Sequence, residues 1–338
     1  MPGMQEKGDA RRQQVESWLS VIPGVDVGSL RAASEDASFR RYFRVATDAG
    51  TAIVMDAPPP QEDTRPFIRI AGYLESIGVN APRVLAANED DGILLLSDLG
   101  STPYLADLDA DTAPSMYRDA IDALVLMQQG GEPYREALPA YDDAFLRVEV
   151  ALFHDWLCES YAGIEFSAAE QQLWDEAVDV IVAEAVAQPR VFVHRDYHSR
   201  NLMVTGEDNP GVLDFQDAMN GPLTYDLVSL LKDCYVQWPQ ALRDECLDYF
   251  LAVSSIDVEP ATIRRWFDLM GVQRHLKAAG IFCRLWLRDG KPGYLADVPL
   301  TVSYITELKG RYPELDALID WINERVMPAF RSKRESES

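Results

Sequence analysis

Between residues 191 and 217, VFVHRDYHSRNLMVTGEDNPGVLDFQD, the chain gathers oxygen-bearing side chains at spacings that suit phosphate chemistry. Val191–Val193 reads as an apolar strand that releases a polar loop carrying Asp196, with Asn201 five positions on. Leu202–Val204 and Gly211–Leu213 then read as the two strands of a short hairpin about Thr205–Pro210, and simple register sets Asn201 opposite Asp214. An amide oxygen and two carboxylates converge in this way. Hard oxygen ligands of that kind suit Mg²⁺, which keeps several waters and is usually completed by substrate phosphates. Asp and Asn are also ordinary turn residues, so a hairpin whose polar ends merely cap turns is the competing reading. Three spaced oxygen ligands together with His194 favour the chemical one.

The order His194-Arg195-Asp196, Asn201, Asp214-Phe215 is the catalytic-loop pattern of protein kinases. There the first Asp takes the acceptor-hydroxyl proton, while Asn and the second Asp hold metal. Two positions depart from it: His198 stands two after Asp196, and Gln216 replaces the glycine of D-F-G. In both, the chain resembles the aminoglycoside phosphotransferase-like family, which shares the kinase fold and phosphorylates small molecules such as antibiotics, choline and sugars. The resemblance runs from about Ser34 to Tyr304. It implies an α+β, two-lobed protein-kinase-like fold, with a small antiparallel sheet lobe (residues 1–98) for the nucleotide and a larger helical lobe (99–338) for catalysis and acceptor. It also implies Asp196 as the base, Asn201 and Asp214 on Mg²⁺, ATP as donor, and His194 bracing the loop. Residues 271–282 and 284–291, with 193–203 and 214–218, further resemble one branch: kinases of bacterial cell-wall recycling that phosphorylate the anomeric hydroxyl of N-acetylmuramate and N-acetylglucosamine. Read from the residues alone, Arg274, His275 and Lys277 are a solvated helix face.

Gln5–Ser20 carries Val15, Trp18 and Leu19 at helical spacing and reads as an amphipathic helix on the first lobe. Strands follow at Leu30–Ala33, Phe39–Ala46 and Thr51–Asp56, then a helix near Thr64–Ile77, then strands at Arg83–Ala87 and Gly92–Ser97. On the second strand Phe39, Phe43 and Val45 alternate with Arg40, Tyr42 and Arg44, and Arg41 breaks the alternation. The turn before it, with Ser34 and Ser38, lacks a glycine-rich loop; it either presents hydroxyls and N–H groups to phosphate or is a plain hairpin turn. The third strand has no Lys or Arg for the triphosphate, and the following helix has no carboxylate near Phe67 to pair with one. Losing both removes the penalty of an unpaired charge, and leaves Arg40, Arg41 or Arg44 as the nearest supply of positive charge. The resemblance assigns Ser97 to Leu99 to the hinge that holds the adenine edge.

Beyond residue 100 helical periodicity dominates: Thr112–Gln129, Asp142–Tyr161, Ala168–Ala187, Pro239–Val253, Pro260–Arg288 and Glu314–Val326. Ser167 and Glu170 form a capping-box start. Residues 331–338 read as a frayed polar tail. On the second of these helices Glu149 shares a stripe with Phe145, Leu152 and Trp156, and a carboxylate there needs a partner, either a sugar hydroxyl or an internal Arg or N–H. Asp217, just past Asp214, either orients the acceptor hydroxyl or closes a turn, and Asp226 reads as the cap of the helix it begins.

A chain of 338 residues with 47% hydrophobic content has ample core for two lobes. Cys158, Cys234, Cys246 and Cys283 form no C-x-x-C pair and read as reduced core residues rather than zinc ligands. No apolar run approaches the roughly 18–20 residues of a bilayer span, and the start lacks the apolar core of a signal peptide, so a cytoplasmic protein is expected. The net charge of −24 disfavours nucleic acid and anionic membranes and leaves a small amino sugar as the expected partner. The expected activity is ATP-dependent phosphorylation of a sugar hydroxyl. An antibiotic kinase is the first alternative, favoured by the acidic surface and disfavoured by the basic RVMPAFRSKR end. A nucleotide-binding scaffold without catalysis is the second, suggested by the missing strand-three lysine.

Overall fold

The computed structural model describes residues 3–35 and 40–337, and the chain divides into two compact units. The first runs to Thr102 and includes Met203–Asp217; the second holds Pro103–Leu202 and Ala218–Ser338. The division expected at residue 98 therefore falls after Thr102, and the hairpin expected in the helical part belongs to the first unit as a separate two-stranded sheet. Backbone pairing explains this allegiance. Val204 N–H donates to the Thr102 carbonyl (2.8 Å), Val212 N–H to that of Asn80 (2.7 Å), and the Asn80 amide to that of Asp208 (2.9 Å).

In the first unit, helix α1 (Gly3–Leu19) precedes strands β1 (Val25–Glu35), β2 (Arg41–Thr47) and β3 (Gly50–Asp56), helix α2 (Arg65–Ile77), and strands β4 (Val84–Asn88) and β5 (Ile93–Ser97). The sheet is antiparallel in the order β1-β2-β3-β5-β4. Pairing of Phe43 with Val54 and of Val45 with Ala52 collects apolar residues on one face, where Val15 and Leu19 of α1 close the core. Arg41 sits opposite Asp56 and pairs with it, and Arg11 of α1 reaches the same buried carboxylate at 2.7 Å. The break in alternation at Arg41 thus serves an ion pair. Ser38 and Phe39 lie outside the described residues, as does the side chain of Ser34, the next-to-last residue of β1.

The second unit is helical around one small strand pair. It contains α3 (Tyr104–Asp107), α4 (Ala113–Gly130), α5 (Asp143–Leu152), which continues to Tyr161 as a π-helix, and α6 (Ala168–Val186). Strand β6 (Arg190–Val193) leads into the Asp196 loop; the chain passes through the hairpin strands β7 (Leu202–Met203) and β8 (Gly211–Val212) and returns as β9 (Met219–Pro222), antiparallel to β6. Then come α7 (Tyr225–Leu231), α8 (Gln240–Val253), α9 (Pro260–Leu287), α10 (Val298–Thr306), α11 (Pro313–Trp321) and α12 (Met327–Glu337). Ser167 and Glu170 make the expected capping box on α6. Residues 331–337 are helical rather than frayed, because Phe330 is buried against the Tyr161 ring at 5.2 Å and Lys333 pairs with Glu337 at 3.3 Å. All four cysteines are buried and free, and among the described residues no helix is long and apolar enough to cross a membrane.

Helix α9 is the axis of this unit. It packs against α5 and its π-helical continuation, α6, α7 and α10, and is buried on all sides through its middle. Close approach to α5 depends on Gly280, where a Cβ would meet the Leu152 carbonyl and lie 2.6 Å from the Phe153 nitrogen. Gly280→Ala should therefore destabilise the protein by about 1–3 kcal/mol, read as a lower urea midpoint. Gly72, exposed within α2 with nothing within 4 Å of its Cβ position, is the control. Gly72→Ala should leave stability unchanged or raise it by up to ~1 kcal/mol, and equal effects of the two substitutions would contradict the close approach.

Candidate active site

Most residues of the loop after β6 are tied down. The Asp226 carboxylate accepts from the backbone N–H groups of His194 (2.6 Å) and Arg195 (2.9 Å), across the turn where Arg195 adopts the left-handed conformation (φ 81°). Such a backbone costs about 1–3 kcal/mol and persists only where its surroundings hold it. The His194 ring nitrogen accepts from Asp196 N–H (3.3 Å). Asp233 accepts from Ser199 N–H (3.0 Å) and Oγ–H (2.5 Å), and Tyr197 OH donates to the Ala120 carbonyl (2.7 Å). Asp226 does not cap its helix as expected: Thr224 occupies the cap position of α7 and the Asp226 carboxylate turns to the loop. Burial pushes that carboxyl up to about 7, against the two N–H donors that favour its charged form.

Glu149 of α5 is 5% exposed, and the internal arginine weighed as its partner is present. Arg195 Nη2 lies 2.7 Å from it and Lys277 Nζ of α9 2.8 Å, and Tyr141 OH donates to it as well. Burial would raise the Glu149 carboxyl; the charges of Lys277 and Arg195 outweigh it and hold the group below its ordinary range. The same holds for half-buried Asp196, whose burial is outweighed first by Lys277. His198 is lowered by its own burial and so carries no charge at neutral pH, which leaves Lys277 and Arg195 to keep Asp196 ionised. Asp196 opens into a pocket shared with His198, Tyr225, Tyr235, Arg274 and Lys277.

The residues 274, 275 and 277, read from sequence as a solvated face, are all buried, Lys277 at 8% exposure. The signal was available: α9 has apolar residues on every side, with no separate polar face, and carries glycines at 271 and 280, so charges in its middle must be paired or meet a ligand.

Asn201 donates its amide N–H to the Asp196 carbonyl (3.0 Å). In the first unit Asp214 is left-handed (φ 63°) and accepts from Gln216 Nε2 at 2.9 Å; Arg40 Nη2 lies 3.6 Å from it. Arg40 also lies 4.0 Å from Glu62, just ahead of α2. Arg41 is turned to Asp56, and Arg44 is held by Asp98 (2.6 Å) and the Gly100 carbonyl (2.7 Å). Ser97 Oγ accepts from Arg83 N–H (2.9 Å), Leu99 packs beside Gly211, and Asp217 is exposed beside Gln216. Phe67, where a helix carboxylate would stand, packs on Phe215 with ring centroids 4.7 Å apart.

Residues 29–266 match the phosphotransferase enzyme family. The chain is 46% identical to an N-acetylmuramate/N-acetylglucosamine kinase of Pseudomonas putida, over 94% of this chain and 97% of the relative. To the protein of the same name from Pseudomonas aeruginosa it is also 46% identical, over 92% and 95%. Among solved structures, a choline/ethanolamine kinase family protein from Mesorhizobium loti superposes with a TM-score of 0.61 at 15% identity, covering 91% of this chain and 99% of that one, a likeness of fold.

The cations around Asp196 set its ionisation, and this is measurable by carbon-13 NMR of the carboxyl. The wild-type group should titrate below the ordinary Asp value of about 3.9. Lys277→Met should move that midpoint upward, because the charge that favours the carboxylate is lost while Glu149 keeps Arg195. An unmoved midpoint would contradict the assignment.

Proposed function

The chain belongs to the phosphotransferase enzyme family, and from that membership we propose that it transfers the terminal phosphoryl group of ATP to the anomeric hydroxyl of N-acetylmuramate and N-acetylglucosamine. The observation that carries the sugar assignment is 46% identity, over nearly the whole chain, to two relatives named for that pair of substrates. The choice of hydroxyl rests on acid–base matching. The C1 hydroxyl of a reducing sugar is more acidic than the others and needs less help from its base, and Asp196, held below the ordinary carboxylate range, is a weak base. Its carboxylate takes the proton as the oxygen attacks, within a loop whose backbone Asp226 and Asp233 hold in place.

The oxygen donors of Asn201 and Asp214 suit Mg²⁺, which when bound would neutralise triphosphate charge. Of the three arginines near β2, Arg40 is proposed to replace the lysine missing from β3, since it lies 3.6 Å from Asp214, a residue proposed to hold Mg²⁺. Glu62 then does for Arg40 what a helix glutamate does for that lysine. Use of ATP would place the reaction in the cytoplasm.

Turnover of labelled ATP across hexosamines and aminoglycosides tests the reading: both N-acetyl sugars should be converted and the aminoglycosides left. Asp196→Ala should lower kcat by about a thousandfold or more with little change in nucleotide binding, and near-normal turnover would sink its role as base. The methyl glycoside of N-acetylglucosamine, which lacks a free C1 hydroxyl, should not react; its phosphorylation at a comparable rate would point to another hydroxyl. Arg40→Ala should raise the nucleotide KM by about ten- to a hundredfold, well beyond Arg44→Ala. Equal nucleotide KM values in the two variants would remove Arg40 from the phosphate site.

A further inference from the structure

The pocket beside Asp196 holds a guanidinium that makes no salt bridge among the described residues. Lys277 is paired with Glu149 and also donates to Tyr225 OH at 2.8 Å. Arg274, one turn earlier on α9 and 6% exposed, donates to Cys234 Sγ at 3.5 Å, and among the described residues no carboxylate lies within ion-pair distance of it. Asp233, whose charge favours the guanidinium from beyond salt-bridge distance, directs its oxygens elsewhere, accepting from Ser199 at one and from Tyr235 N–H (2.9 Å) at the other. A guanidinium has five N–H donors, and holding one out of water against a thiol is costly unless an anion completes it. A second observation lies in the same pocket: His198, 8% exposed, has its Nδ1 buried with no hydrogen-bond partner. Buried polar atoms are nearly always satisfied, and one that opens into a pocket beside the reacting carboxylate points to a partner brought by the ligand.

We propose that Arg274 and His198 form a subsite for a carboxylate on the acceptor sugar. This rests on the reading of the reaction above and separates its two substrates by charge: N-acetylmuramate carries a lactyl carboxylate on O3, and N-acetylglucosamine carries a neutral hydroxyl there. The planar fork of Arg274 takes a carboxylate through two parallel N–H bonds, and the neutral His198 ring donates a third when its proton is on Nδ1. A polycationic antibiotic would meet the same charge as repulsion.

The wild-type enzyme tests this without mutation. N-acetylmuramate and its carboxyl methyl ester, which keeps the shape and loses the charge, are compared with N-acetylglucosamine at saturating ATP. The ester should show a KM ten- to a hundredfold above that of the acid. An ester that reacts as well as the acid would overturn the subsite while leaving the sugar-kinase reading intact, whereas failure of both the acid and N-acetylglucosamine would overturn that reading instead. In Arg274→Met the ratio of kcat/KM for N-acetylmuramate to that for N-acetylglucosamine should fall tenfold or more, with partial recovery in Arg274→Lys. An unchanged ratio assigns Arg274 to packing. Should Arg274→Met fail to fold, the ester comparison decides alone.

Discussion

The second unit turns on one buried charge arrangement. Glu149 of α5 holds Arg195 of the loop and Lys277 of α9 within 2.8 Å, so a single carboxylate joins three segments far apart in sequence. Asp196 adds a second negative charge to the two positive ones, and the set balances. Breaking a buried pair by removing one partner costs about 3–5 kcal/mol because the other charge stays behind. That constraint fixes where α5 and α9 meet the loop, and its positive charges hold the Asp196 carboxyl below its ordinary range against the burial that would raise it. Arg195 can occupy a strained left-handed backbone because its N–H is held by Asp226 and its guanidinium by Glu149.

Much of this was legible in the letters. The strand–helix–strand order of the first unit, the boundaries of most helices and the capping box at Ser167 follow from local periodicity and turn chemistry, which act over a few residues. The spacing of Asp196, Asn201 and Asp214 makes them candidates from sequence because one loop and one hairpin carry all three. Interactions that join distant segments were not legible. Asp226 looks like a cap because its neighbours in sequence begin a helix, and only the return of the chain along β9 brings it under the loop. Arg274 and Lys277 look solvated because charged letters usually are; their burial follows from helices packing around the whole circumference of α9. Residues 331–337 look frayed because their composition is polar, yet Phe330 anchors the helix they belong to.

The first unit poses the complementary problem of positive charge for phosphate. β3 carries none, and the position on α2 where a carboxylate was sought is filled by Phe67, packed on Phe215. An arginine at the start of β2 is a chemically different solution from a lysine within β3. Its guanidinium can keep one N–H toward Glu62 and present others, whereas an ammonium is a compact point charge. The Arg40–Glu62 pair is therefore proposed as the counterpart of a lysine–glutamate pair, moved one strand over and ahead of the helix.

The most direct test is the position of the phosphoryl group in the product. N-acetylmuramate would be converted with ATP and the product read by a proton–phosphorus correlation spectrum. A phosphorus signal that correlates with the anomeric proton H1 is the predicted result. A signal that correlates with the H6 protons, or a product that keeps a free reducing end, contradicts it.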